Sequence, residues 1–270
     1  MFVQVTGKNM SELWFNLLVH TATGNQHSYY YPTMFSRRVY GFTEGIHFDD
    51  TIIEKDFYKY SGYNKDMKLN RLRESYFGPK VEKQYDLLVS QIRQLQPRQA
   101  RGLISFSEPA FNRTDRLKYL DSLYIQKSTM TEYEALIVFR NTEIWPKTYM
   151  DFEFLNEMLE GFVEQRVRCT LFSCFMTSSF INMHQAPTAA MMMRKYGIRD
   201  WNPSFKEMLL RFKDKFGDPS CLETVKMQWI KRVLTRTYRL FEEDGVDIDA
   251  PAGNVVDVMQ QGSFVTFNKP

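Results

Sequence analysis

Apolar positions along this chain change spacing several times, from every third or fourth residue to every second and back, and each change marks a new element. Leu13, Trp14, Leu17 and Leu18 share one side of a helix over 11–20, which Ser11 is placed to cap. Tyr, Met, Phe, Val and Ile alternate with polar residues over 29–48, which predicts strands with turns near Pro32 and Gly41. Tyr85, Leu88, Ile92 and Leu95 return to helical spacing over 85–95, and 102–106 reads as a short buried strand. Residues 134–140 form the clearest strand, and 168–175 another. Between them Phe152, Leu155, Leu159 and Phe162 line one face of a helix over 151–165, with Asp151 in the cap position. Helices are expected over 204–216 and 222–243, and strand or loop after Gly245. Interleaved helices and strands make the fold class α/β (α+β). With no internal repeat and no Gly/Ser linker, 1–270 is read as a single domain.

Composition narrows this further. Of 270 residues 43% are apolar and 15% aromatic, enough for one ring-rich core. No apolar run approaches the roughly 20 residues that cross a bilayer, and Lys8, Asn9, Ser11 and Glu12 interrupt the N-terminal apolar residues, so no membrane partner and no signal peptide is expected. Cys169, Cys174 and Cys221 lack CxxC spacing and read as reduced thiols in a cytoplasmic protein. On a strand, Cys169 and Cys174 point to opposite faces. The four histidines have no ligand spacing, so no metal is expected. A net charge of +3 fits one anionic ligand in a pocket and makes nucleic acid an unlikely partner.

Four blocks then carry the chemistry. The first is PRQARGLISFSEP at 97–109. The second is LDSLYIQ, with Asp121 and Gln126. The third runs from Phe139 through Arg140, Asn141 and Glu143 to Pro146 and Asp151. The fourth is SSFIN at 178–182. Together they resemble the thymidylate synthase and pyrimidine nucleotide hydroxymethylase family, over roughly 76–184. The family's segments are Pro-Asp-Ser-Arg-Arg, then Pro-Cys-His with a Gln beyond it, Gln-Arg-Ser-x-Asp with an Asn eleven residues after the Arg, and His-Ile-Tyr-x-Asn. Tyr76-Phe77-Gly78 resembles the family's Val-Tyr-Gly.

The resemblance implies a mixed sheet with packed helices, a divergent helical C-terminal part over 188–270, and a homodimer with its sheets back to back. It implies folate-dependent transfer of a hydroxymethyl or methyl group from 5,10-methylenetetrahydrofolate to a pyrimidine nucleotide. In the family a thiolate attacks C6 of the ring. Here Asp121 stands at that position, and a carboxylate suits a general base or an anchor instead. Glu54 corresponds to the family's catalytic Glu. Arg101 and Arg140 match arginines that hold the nucleotide phosphate, one of them reaching in from the partner subunit. Ala100 replaces the second arginine of the usual pair. Asn141 takes the family's serine position beside Arg140. Asp151 replaces the Asn that reads the pyrimidine edge, and a carboxylate there suits the amino group of cytosine. Ser179 and Asn182 fall among the sugar-reading positions, and Gln126 keeps the family's Gln.

Without the thiolate, the expected acceptor is a cytidine-type nucleotide or an electron-rich relative. Two alternatives stand beside this reading. One is a non-catalytic nucleotide-binding or scaffold protein on the same fold. The other is nucleic-acid binding through the basic helix that carries Lys226, Lys231, Arg232, Arg236 and Arg239.

Overall fold

The computed structural model describes residues 3–22, 33–44, 51–94, 96–97, 101–106, 119–182, 185–198, 236, 239–240 and 243–245. The expected helices over 204–216 and 222–243, the basic face of the second, and the tail after Gly245 lie wholly or mostly outside the described residues, as does Cys221.

In chain order the elements are β1 (Val3–Gly7), α1 (Met10–Ala22), β2 (Thr33–Thr43), α2 (Thr51–Ser61), α3 (Lys65–Tyr76), α4 (Pro79–Gln91), β3 (Arg101–Ser105), β4 (Leu120–Lys127), β5 (Glu132–Trp145), α5 (Lys147–Val163), β6 (Arg168–Asn182) and α6 (Ala186–Lys195). The strands form one six-stranded mixed sheet in the order β1-β2-β6-β5-β4-β3. The pairs β1/β2 and β5/β6 are parallel, and the others antiparallel. A parallel pair needs a crossover, and α5 supplies it between β5 and β6. The chain is therefore of mixed α/β class.

Helices α1, α4 and α5 pack on one face of the sheet. The centre of that face is apolar: Ile137, Phe139, Phe172, Cys174 and Met176 are all buried without remainder. Trp14 of α1 meets Phe57 of α2, Trp145 at the end of β5 and Tyr149 of α5 in one ring cluster. Its indole N–H donates to the Ile144 carbonyl at 3.2 Å, and that of Trp145 donates to Thr188 Oγ1 at 3.0 Å. Both indoles thus lose no hydrogen bond on burial.

The opposite face is only partly covered. Leu103 and Tyr124, cross-strand partners on β3 and β4, are 52% and 45% exposed. Leu136, Val138, Leu171, Phe175, Tyr40 and Phe42 extend this half-buried apolar surface across β5, β6 and β2. Among the described residues no helix is long and apolar enough to cross a membrane.

Four local expectations are corrected. Gly41 is not at a turn: it sits within β2, opposite Cys174, where an added Cβ would lie 2.8 Å from the Cys174 sulfur and 3.1 Å from Leu13. The glycine admits α1 close to the sheet. Ser11 does not cap α1. Asn9 does, accepting from the Glu12 N–H at 2.9 Å, while Ser11 is buried inside the helix. Asp151 does not cap α5, which begins one turn earlier at Lys147 with Pro146 in the cap position. The amphipathic stretch read over 85–95 belongs to a helix that starts at Pro79, a favoured first position, and ends at Gln91.

Candidate functional site: a basic cavity with a buried carboxyl

A cavity of about 290 Å³ opens between α3, the first turns of α5 and the chain entering β4. Two short patterns build it. On α3, which starts at Asn64 with its side chain accepting from the Met67 N–H at 2.9 Å, Lys68, Arg71 and Ser75 follow helical spacing and face one way. On α5, Lys147, Met150 and Asp151 do the same. Tyr63 and Tyr119 close the sides.

Asp151 is 2% exposed, and its Oδ2 has no hydrogen-bond partner among the described residues. Burial drives its pKa up to about 7, against a smaller opposing pull from Lys147 one turn before it. Below that pH it is a neutral acid, and above it a buried carboxylate.

Lys147 reaches back to Glu143, which is 1% exposed at the end of β5, and ion-pairs with it. Its Nζ also donates to the Tyr119 hydroxyl at 3.4 Å and lies 5.0 Å from that ring. Burial opposes the charge on Lys147, but Glu143 outweighs it and lifts the lysine's pKa above the ordinary range. Glu143 also accepts from Asn182 Nδ2 and so joins β5, α5 and β6 at one point. The Lys68 ammonium lies 4.0 Å from the Tyr63 ring centroid. Its pKa is lowered, first by burial and then by the nearby positive charges of Arg71 and Lys147.

The sequence-derived site residues distribute as follows. Asp151 lines the cavity, and Asn182 sits behind it on Glu143. Asp121 and Arg140 come together, but on each other: Arg140 Nε and Nη2 donate to Asp121 Oδ1 at 2.8 and 2.7 Å. Neither lines the cavity. Arg101 is opposite Gln126 in the β3/β4 register, at the other end of β4 from Asp121 and about 17 Å along the strand from it. Gln126 is exposed. Glu54 is on α2, accepting from Lys65 at 2.6 Å, and Lys65 also pairs with Glu153. Ser179 is fully buried and accepts from the Thr21 hydroxyl at 3.0 Å, facing α1. Asn141 is in β5 opposite Ser178.

Sequence reasoning passed over Lys68, Arg71, Lys147 and Tyr63. A signal existed for the first two: basic residues three apart, with Ser75 a further four on, on a helix otherwise too polar to need a ligand face. Neither described cysteine lines the cavity. Cys169 and Cys174 are buried, and burial pushes both up to about 12. Among the described residues no three His, Cys, Asp or Glu side chains come together to hold a metal ion. No protein-family model matches the chain, and no curated protein matches its sequence.

Proposed function

We propose that the chain binds a cytidine-type nucleotide, or a small anion with a similar amino-bearing ring, in this cavity. The observation that carries the reading is the unpartnered Oδ2 of Asp151, buried beside three cations. A buried oxygen without a partner costs about 1–3 kcal/mol, more if charged, and a ligand that donates a hydrogen bond to it recovers that cost. The exocyclic amine of cytosine is such a donor, whereas uracil presents an acceptor there. The test is a thermal-shift comparison of CMP, dCMP, UMP and dUMP on the wild type and Asp151→Asn. Stabilisation by cytidine nucleotides over uridine nucleotides, with that preference lost in the variant, supports the reading. Equal shifts for both bases in the wild type sink it.

One-carbon transfer from 5,10-methylenetetrahydrofolate is the second reading, and a different property of Asp151 favours it. A carboxyl that titrates at about 7 can hold or release a proton at working pH. With no thiol lining the cavity among the described residues, the acceptor carbon has to be electron-rich without covalent activation. Release of tetrahydrofolate from methylenetetrahydrofolate and a cytidine nucleotide, abolished in Asp151→Asn, is the expected turnover. A nucleotide that binds without any turnover leaves the binding reading alone.

The half-buried apolar face of the sheet supports a homodimer, and the two described cysteines, both free, support a cytoplasmic location.

A further inference from the structure

Lys68 and Arg71 stand on the cavity wall contributed by α3, where no phosphate contact was anticipated. Neither forms an ion pair among the described residues, although carboxylates are near in sequence and α3's other arginine uses one: Arg73 donates to Glu157 at 2.8 Å. Lys68 is held on the Tyr63 ring instead. Lys147 adds a third positive charge, already shared with Glu143. The Glu143 carboxylate is already engaged by Lys147, and burial pushes Asp151 up to about 7. Lys68 loses proton affinity first through burial and then through the like charges of Arg71 and Lys147. An anion between them offsets those charges.

The residue expected to hold a phosphate is meanwhile occupied. Both Arg140 nitrogens that face Asp121 share one carboxylate oxygen, so its charge is already paired, and it does not line the cavity.

We propose that Lys68 and Arg71, with Lys147 behind them, form a seat for a phosphate monoester, and that Arg140 does not. The guanidinium fork of Arg71 takes two phosphate oxygens, and the ammonium groups act as point charges on the third. This assignment rests on the nucleotide reading only for the remainder of the ligand; the seat itself asks for a phosphate dianion. A cavity of about 290 Å³ is at the small end of ligand sites, which span roughly 300–1,000 Å³. It suits a mononucleotide or something smaller.

The experiment is calorimetric titration with CMP, cytidine and inorganic phosphate, on the wild type, Lys68→Gln/Arg71→Gln, the charge-keeping Lys68→Arg/Arg71→Lys, and Arg140→Gln. Circular dichroism checks each fold. The expected result is CMP binding weakened by tenfold or more in the Gln double variant. Arg140→Gln stays within about threefold of the wild type, the charge-keeping variant falls between the wild type and the Gln double variant because lysine keeps the charge but not the fork, and phosphate competes with CMP in the wild type. CMP binding that is unchanged in the Gln double variant, or lost in Arg140→Gln, overturns the seat and leaves the nucleotide reading standing. Phosphate binding that depends on Lys68 and Arg71, with cytidine inert and CMP no better than phosphate, keeps the seat and overturns the nucleotide reading. A wild type that binds neither phosphate nor CMP overturns both.

Discussion

Arg140 and Asp121, on adjacent antiparallel strands, are locked to each other: Nε and Nη2 of the guanidinium both donate to one carboxylate oxygen, at 2.8 and 2.7 Å. Two residues expected to work separately on a ligand are thus partners. The pair is part-exposed, at 39% and 29% of its side-chain surface. Asp121→Asn should therefore cost only about 0.5–1 kcal/mol of stability. It should leave CMP affinity within twofold of the wild type. Loss of binding in this variant would return Asp121 to the site.

Asp151 makes stability pH-dependent in an unusual direction for a carboxyl. Its pKa is 3.8 in an ordinary setting and about 7 in the fold. The folded chain therefore holds this proton where the unfolded chain has lost it. Its contribution to stability is full below pH 4, declines as pH rises from about 4 to about 7, and is flat above. Three pH units correspond to a change on the order of 4 kcal/mol. Urea denaturation at pH 5 and pH 8 should show the wild type losing stability relative to Asp151→Asn. Parallel pH profiles for the two proteins would contradict the burial of an ionisable group there.

Lys127 is 1% exposed, and its amino group donates to the carbonyls of Ile92 and Arg93 at 2.9 and 3.0 Å. These are carbonyls at the end of α4, which have no partner within the helix. Lys127→Met keeps the side chain's bulk and removes the donor, so it should cost about 2 kcal/mol, read as a lower urea midpoint at unchanged slope. Ligand binding should be unaffected, since α4 does not line the cavity.

Leu103 and Tyr124 lie side by side on the open sheet face. If two copies pack through this face, Leu103→Lys or Tyr124→Lys places a charge in the interface. Sedimentation should then change from dimer to monomer with far-UV dichroism preserved. A wild type that sediments as a monomer at micromolar concentration ends the dimer reading directly.

The sequence made α1, β3, β5, β6 and the body of α5 legible, because each buries one face and a buried face imposes its period on the chain. The same rule hid α3, whereas α2 and β4 were passed over although each buries a face. On α3 only Leu69 and Tyr76 are buried, so its sequence reads as polar coil, and its helicity rests on the Asn64 cap and packing against α5. Helix starts were misread for a related reason. Asp151 and Ser11 are good capping residues, but propensity cannot say whether the turn before them is also helical.

The sequence by itself determined the mixed class, the apolar core and the residue types available for chemistry. The resemblance of its blocks to a known family also singled out Asp151, eleven residues after Arg140, which the structure places on the cavity wall. Only the tertiary structure decided which polar groups converge. Arg140 meets Asp121 because of the β4/β5 register, and Arg101 is carried to the far end of β4 by the β3/β4 register. Lys68 and Arg71 meet Lys147 and Asp151 because α3 docks on α5. Local periodicity fixes elements through contacts a few residues apart. Pairing of charges is fixed by strand register and helix docking, set by contacts across the whole chain, and no short motif records those.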